Sequence, residues 1–171
     1  MIVNDLVVDC SRIPNISSCA LSLDGERTEH RAMGILTFEN RNGKLYADDI
    51  EIIRYLPLNL QNGNAVNGHE LRKELEEEQK QVLNACVFDA LITHPKLIPD
   101  SWRIGHTYFW GTVFNLFRFF EGKNNLVVKF LYWAGMGWDW RYGWLDDKCH
   151  MYSFAACLAI ADSTSEPPLS T

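Results

Sequence analysis

No run of basic residues occurs anywhere in this chain, and its 16 Lys and Arg are outnumbered by 22 Asp and Glu. The net charge of -6 and an isoelectric point near 5.3 argue against a large sequence-independent nucleic-acid contact, which needs clustered cations. No apolar stretch approaches the length of a membrane-spanning helix; Phe114 to Phe120 is broken by Asn115 and Arg118. The opening Met1-Ile2-Val3-Asn4-Asp5 reaches an acid with no basic region before it, unlike a secretory signal. The five cysteines (Cys10, Cys19, Cys86, Cys149, Cys157) are an odd number at irregular spacing and read as reduced thiols. A soluble, cytoplasmic protein is expected, without nucleic acid or membrane as partner.

Motifs that announce chemistry are also missing. The sequence has no glycine-rich phosphate loop, no nucleophile elbow and no kinase-type motif. The paired short Cys or His spacings of structural zinc are absent, and Cys149 and His150 are adjacent, which is awkward for joint ligation of one ion. Cys86 has apolar neighbours, which predicts an inert core thiol rather than half of a Cys/His nucleophile pair. Neither a metal nor a cofactor is expected, and no internal repeat is evident.

What the sequence does contain is aromatic. With 47% hydrophobic residues the chain can bury a sizeable core. Within it, Trp138-Asp139-Trp140-Arg141-Tyr142-Gly143-Trp144 places Trp138, Trp140, Tyr142 and Trp144 on one face if read as a strand. As a helix the same four would share no face. Leu126 to Trp133 supplies the other arm of a hairpin around Ala134-Gly135-Met136-Gly137, with Trp133 opposite Trp138, Leu131 opposite Trp140, and Val127 opposite Trp144. Lys129 then faces Tyr142, within cation–π reach of Trp140 or Trp144. The aliphatic partners Val127 and Leu131 favour core over a ligand platform for this stripe. Any ligand site is then expected on the opposite face, around Tyr132, Asp139 and Arg141, or at the hairpin tip.

Elsewhere the first sixty residues read as β-rich, with short strands at Leu6-Val7-Val8 and Ala20 to Leu23. A hairpin turning on Asn42-Gly43 follows, and a strand through Ile50, Ile52 and Ile53 is stopped by Pro57. Gln61 to Gly68 is polar and turn-rich, a linker composition. Leu71 and Leu75 among charged residues predict an amphipathic helix with a solvated acidic face. Asn84 is placed to cap a second helix that His94-Pro95 ends. Tyr108, Trp110, Thr112 and Phe114 alternate as one strand, and a short helix is expected at Tyr152 to Ile160.

The residues Phe88-Asp89, His94-Pro95, Leu97-Ile98-Pro99, Phe109-Trp110-Gly111-Thr112, Leu131-Tyr132-Trp133, Trp138, Trp140 and Trp144-Leu145 follow a distinctive order and spacing. In this skeleton, over about residues 68–160, the chain resembles a family of small bacterial proteins typical of candidate-phylum genomes. That resemblance implies a domain and carries no activity, cofactor or catalytic residue.

These readings combine into an α+β protein. It has a β-rich N-terminal segment (1–60), a linker (61–68), and a unit of one or two helices with a C-terminal antiparallel aromatic-rich sheet (69–162). A disordered tail (163–171), rich in Ser, Thr and Pro, follows. The expected function is a non-enzymatic binding or protein-interaction module. The competing expectation is a small hydrolase of glycan or nucleic acid, using Asp139, Asp146, Asp147 and Glu121 near the aromatic strands.

Overall fold

A computed structural model describes residues 5–12, 25–116 and 126–159, residues 25–28 by their backbone alone. In chain order the strands begin with β1 (Leu6–Asp9), β2 (Gly25–His30), β3 (Ile35–Arg41), β4 (Lys44–Ala47) and β5 (Ile50–Tyr55). A short helical turn α1 (Leu58–Gln61), β6 (Val66–Asn67), α2 (Gly68–Glu77), β7 (Gln81–Val82) and α3 (Ala85–Thr93) follow. The chain then forms β8 (His106–Tyr108), β9 (Thr112–Leu116), β10 (Leu126–Trp133), β11 (Trp138–Trp144), β12 (Lys148–Cys149) and β13 (Ser153–Leu158).

Eleven of these strands make one sheet in the order β1-β3-β4-β5-β13-β8-β10-β9-β2, with β11 added to β10 and β7 to β13. The sheet is mixed, because β13 runs parallel to β8 and antiparallel to β5. With 45% strand against 23% helix, the protein is mostly β. The expected α+β arrangement is therefore corrected. The C-terminal sheet is not a separate antiparallel unit, since the N-terminal β5 pairs with β13 in the same sheet.

The main source of the error is Ser153-Phe154-Ala155-Ala156-Cys157-Leu158, expected as a helix and observed as β13. Its alanines favour helix intrinsically, but the strand lies between β5 and β8 with Ala155, Ala156 and Cys157 all buried. A strand covered on both faces shows no alternation, so its period is invisible in the sequence. The run from Tyr108 to Phe114 is likewise two strands rather than one. Gly111 turns the chain between them; a Cβ there would lie 2.8 Å from the Leu83 carbonyl oxygen. The strand expected at Ala20 to Leu23 and the tail 163–171 lie outside the described residues, as does Ile160.

Local signals elsewhere match the structure. Asn42 and Gly43 take φ values of 53° and 80° in the β3–β4 turn. The expected linker holds the end of α1, β6 and Asn67, which closes a capping box with Glu70 at the start of α2. Asn84 caps α3. The β10–β11 ribbon has the anticipated register, pairing Trp133 with Trp138, Leu131 with Trp140, and Val127 with Trp144.

Apolar residues are buried on both faces of the central strands, so β10 is covered on each side. Leu131 belongs to a core with Phe88, Leu91 and Val87 of α3, and Trp138 and Trp140 pack at its margin. Val128 and Phe130, on the opposite face, belong to a second core with Leu71 and Leu75 of α2. The tryptophan stripe is thus half-buried: Trp140 meets Phe88 edge-on at 5.5 Å, Tyr142 meets Phe114 at 6.1 Å, and Trp144 is the most open of the four at 39% exposed.

Candidate functional site

The hairpin register brings the three expected site residues together. Tyr132 pairs across the ribbon with Asp139, and Phe130 with Arg141. The Tyr132 hydroxyl donates to Asp139 Oδ2 at 3.0 Å, while Asp139 Oδ1 accepts from the Trp140 backbone N–H at 2.8 Å. The Arg141 guanidinium lies 5.6 Å from the centre of the Tyr132 ring, a cation–π distance. Among the described residues Arg141 forms no ion pair with a carboxylate.

Residues far away in sequence complete this surface. His106 stacks on Phe130 at 4.8 Å and approaches Tyr132 at 5.7 Å. Burial, reinforced by the Arg141 charge, holds the His106 imidazole below its ordinary value of 6.5, so it is neutral at physiological pH. The His106 N–H donates to the Tyr152 carbonyl at 2.8 Å, which sets the loop 150–153 beside β8. There Ile104, Met151 and Tyr152 are 68%, 57% and 56% exposed, an unusual concentration of apolar side chains at the surface.

A second aromatic row, not anticipated from the sequence, underlies this face. Trp110 stacks on Tyr108 at 5.4 Å, Tyr108 on Phe130 at 4.8 Å, and the row continues through His106 to Tyr132. Gly143 makes room for it, since a Cβ there would stand 2.8 Å from Tyr108 Cε1. Alternation within one segment cannot reveal a row assembled from β8, the turn that follows it and β10.

At the far end of the row Trp110 borders a cleft of about 1030 Å³ between β2, α2 and β7. Arg31, Arg72, Lys73 and Lys80 line it, together with Glu29 and Glu76. Reading α2 as a solvated acidic face missed this arrangement, because the basic residues come from separate segments.

The remaining chemical candidates do not converge. Asp146 is bound by His69 Nε2 at 2.9 Å, apart from Asp139, and Glu121 lies outside the described residues. The thiols of Cys10, Cys86, Cys149 and Cys157 are buried and free. Burial pushes Cys86 and Cys149 up to about 11, and Cys10 and Cys157 to about 12, so all four are protonated and poor nucleophiles at neutral pH. Among the described residues no three His, Cys, Asp or Glu are grouped to hold a metal ion, and no helix is long and apolar enough to cross a membrane. Compared with family models, curated proteins and solved structures, the chain matches none.

Proposed function

We propose that the protein is a non-enzymatic binding module that presents the outer face of the β10–β11 ribbon to a protein partner. The observation that carries this reading is the join between Arg141, which lacks a carboxylate partner among the described residues, and exposed Ile104, Met151 and Tyr152 across His106. Binding hot spots concentrate in Tyr and Arg side chains beside apolar surface, and this face holds both in an arrangement set by hydrogen bonds. The Tyr132–Asp139 bond fixes the ring against which Arg141 rests, which lowers the entropy lost on association. The complementary partner surface carries an apolar anchor for Ile104 and Tyr152 and a carboxylate for Arg141. No observation favours a hydrolase: Asp139 is held by Tyr132 and Trp140, and Asp146 by His69.

The test compares immobilised wild-type protein with the Arg141→Ala/Tyr152→Ala variant in extract of the native host. A polypeptide retained by the wild type should bind the variant at least about 30-fold more weakly, as loss of a hot-spot pair entails. Both substitutions are at the surface, so unfolding stability should stay within about 0.5 kcal/mol. Equal retention by the two proteins would remove this face from consideration.

A further inference from the structure

We infer that the cleft between β2, α2 and β7 binds a small molecule carrying two or more phosphoryl groups. The chain as a whole is acidic, at -6, yet the cleft gathers four permanent cations against two carboxylates. Concave, low-dielectric walls focus such a local excess, so the cleft attracts anions that the rest of the surface repels.

The cations differ in how they are engaged. Arg72 pairs with Glu29, and Lys73 with Glu77 at 3.7 Å. Arg31 and Lys80 form no ion pair with a carboxylate among the described residues, and the Arg31 side chain is tied to the Lys80 backbone. Arg31 Nη1 donates to the Lys80 carbonyl at 3.4 Å, and the Lys80 ammonium lies 4.1 Å from the centre of the Tyr55 ring. The backbone anchors this pair as well, because the Arg31 N–H donates to the Gly111 carbonyl at 2.7 Å. Neither side chain forms an ion pair among the described residues, so an anion entering the cleft gains attraction from both without displacing a carboxylate.

Size and placement set the ligand class. About 1030 Å³ is at the upper end for small-molecule sites, far larger than a single phosphate requires. The cations come from separate segments, Arg72 and Lys73 from α2, Arg31 from the residue after β2, and Lys80 from the α2–β7 connection. A ligand with several phosphoryl groups can meet cations from more than one of these segments. Arginine forks match phosphate oxygens in pairs, which favours phosphoryl over an equally charged point-like anion.

The experiment is isothermal titration of the full chain with inorganic tripolyphosphate at about 0.15 M salt, where exposed charges are screened beyond roughly 8 Å. Saturable binding is expected, weakened about tenfold or more by Arg31→Ala/Lys80→Ala, since charge-assisted phosphate bonds are lost. Lys73→Glu, at an exposed helix position that leaves the fold intact, should weaken it as well. Lys44→Ala, outside the cleft, should leave it unchanged, and orthophosphate should bind far more weakly. Failure of the folded wild type to bind tripolyphosphate saturably would overturn the inference, as would equal loss with Lys44→Ala. Binding of a single-stranded oligonucleotide that tripolyphosphate fails to compete would overturn the small-molecule assignment.

Discussion

Asn84→Ala is expected to destabilise the protein by about 3 kcal/mol, among the largest single-residue effects in this structure. Asn84 is fully buried and uses both ends of its amide. Oδ1 accepts from the Cys86 and Val87 N–H groups at 3.0 and 3.4 Å, which caps α3. Nδ2 donates to the Cys10 carbonyl at 2.8 Å and the Arg31 carbonyl at 2.7 Å. Loss of the cap alone costs about 1 kcal/mol. A carbonyl left without a donor adds about 1–3 kcal/mol; truncation leaves that of Arg31, while the Cys10 carbonyl keeps the Met33 N–H at 3.3 Å. Asn84→Asp should offer no rescue, because it keeps the cap acceptor but replaces the donors with a buried negative charge facing two carbonyls. Urea unfolding followed by tryptophan fluorescence checks this, through a lower midpoint at unchanged slope.

The second large effect concerns Lys129, fully buried in the middle of β10. Its ammonium meets Asp89 Oδ1 at 2.9 Å and lies 5.1–5.4 Å from the ring centres of Phe88, Phe114 and Trp140. Burial holds the Asp89 carboxyl above its ordinary value of 3.8 in spite of Lys129, an expression of the desolvation penalty the pair carries. The two partners should therefore respond unequally. Asp89→Ala removes a carboxylate that contacts a fully buried ammonium and should cost about 3 kcal/mol. Lys129→Met keeps the stem's packing and leaves a carboxylate that still reaches solvent, so it should cost about 1 kcal/mol or less. In the double variant Asp89→Ala/Lys129→Met most of the Asp89→Ala loss should be recovered, a coupling that unfolding curves of the four proteins would measure.

Several features were legible in the sequence because they depend on few neighbouring residues. The two-residue period of Trp138 to Trp144 and a short turn dictate the β10–β11 register, and that register places Tyr132 opposite Asp139. Asn42-Gly43 and Asn84 mark a turn and a cap by their own chemistry. Features made by distant segments left no comparable trace. The parallel pairing of β8 with β13 joins residues such as His106 and Ser153, nearly fifty positions apart, and no local pattern encodes it. For the same reason His106, Ile104 and Tyr152 were absent from the expected site, and the cleft escaped notice altogether. On the face where the ligand site was expected, Val128 and Phe130 bury a second core, leaving the exposed surface around Tyr132 and Arg141.

The division of labour between the two faces of the ribbon is the central point, and Trp140→Ala tests it most directly. Trp140 contacts Phe88 at 5.5 Å, Tyr142 at 5.3 Å and the Lys129 ammonium at 5.3 Å. Being half-buried, it should cost about 3 kcal/mol on truncation, the low end for a buried tryptophan. Measured by urea unfolding and by partner retention on the same preparation, the expected result is that loss of stability with retention unchanged in the folded protein. Unchanged stability with retention abolished would make the tryptophan stripe the binding platform and contradict the assignment of binding to the Tyr132–Arg141 face.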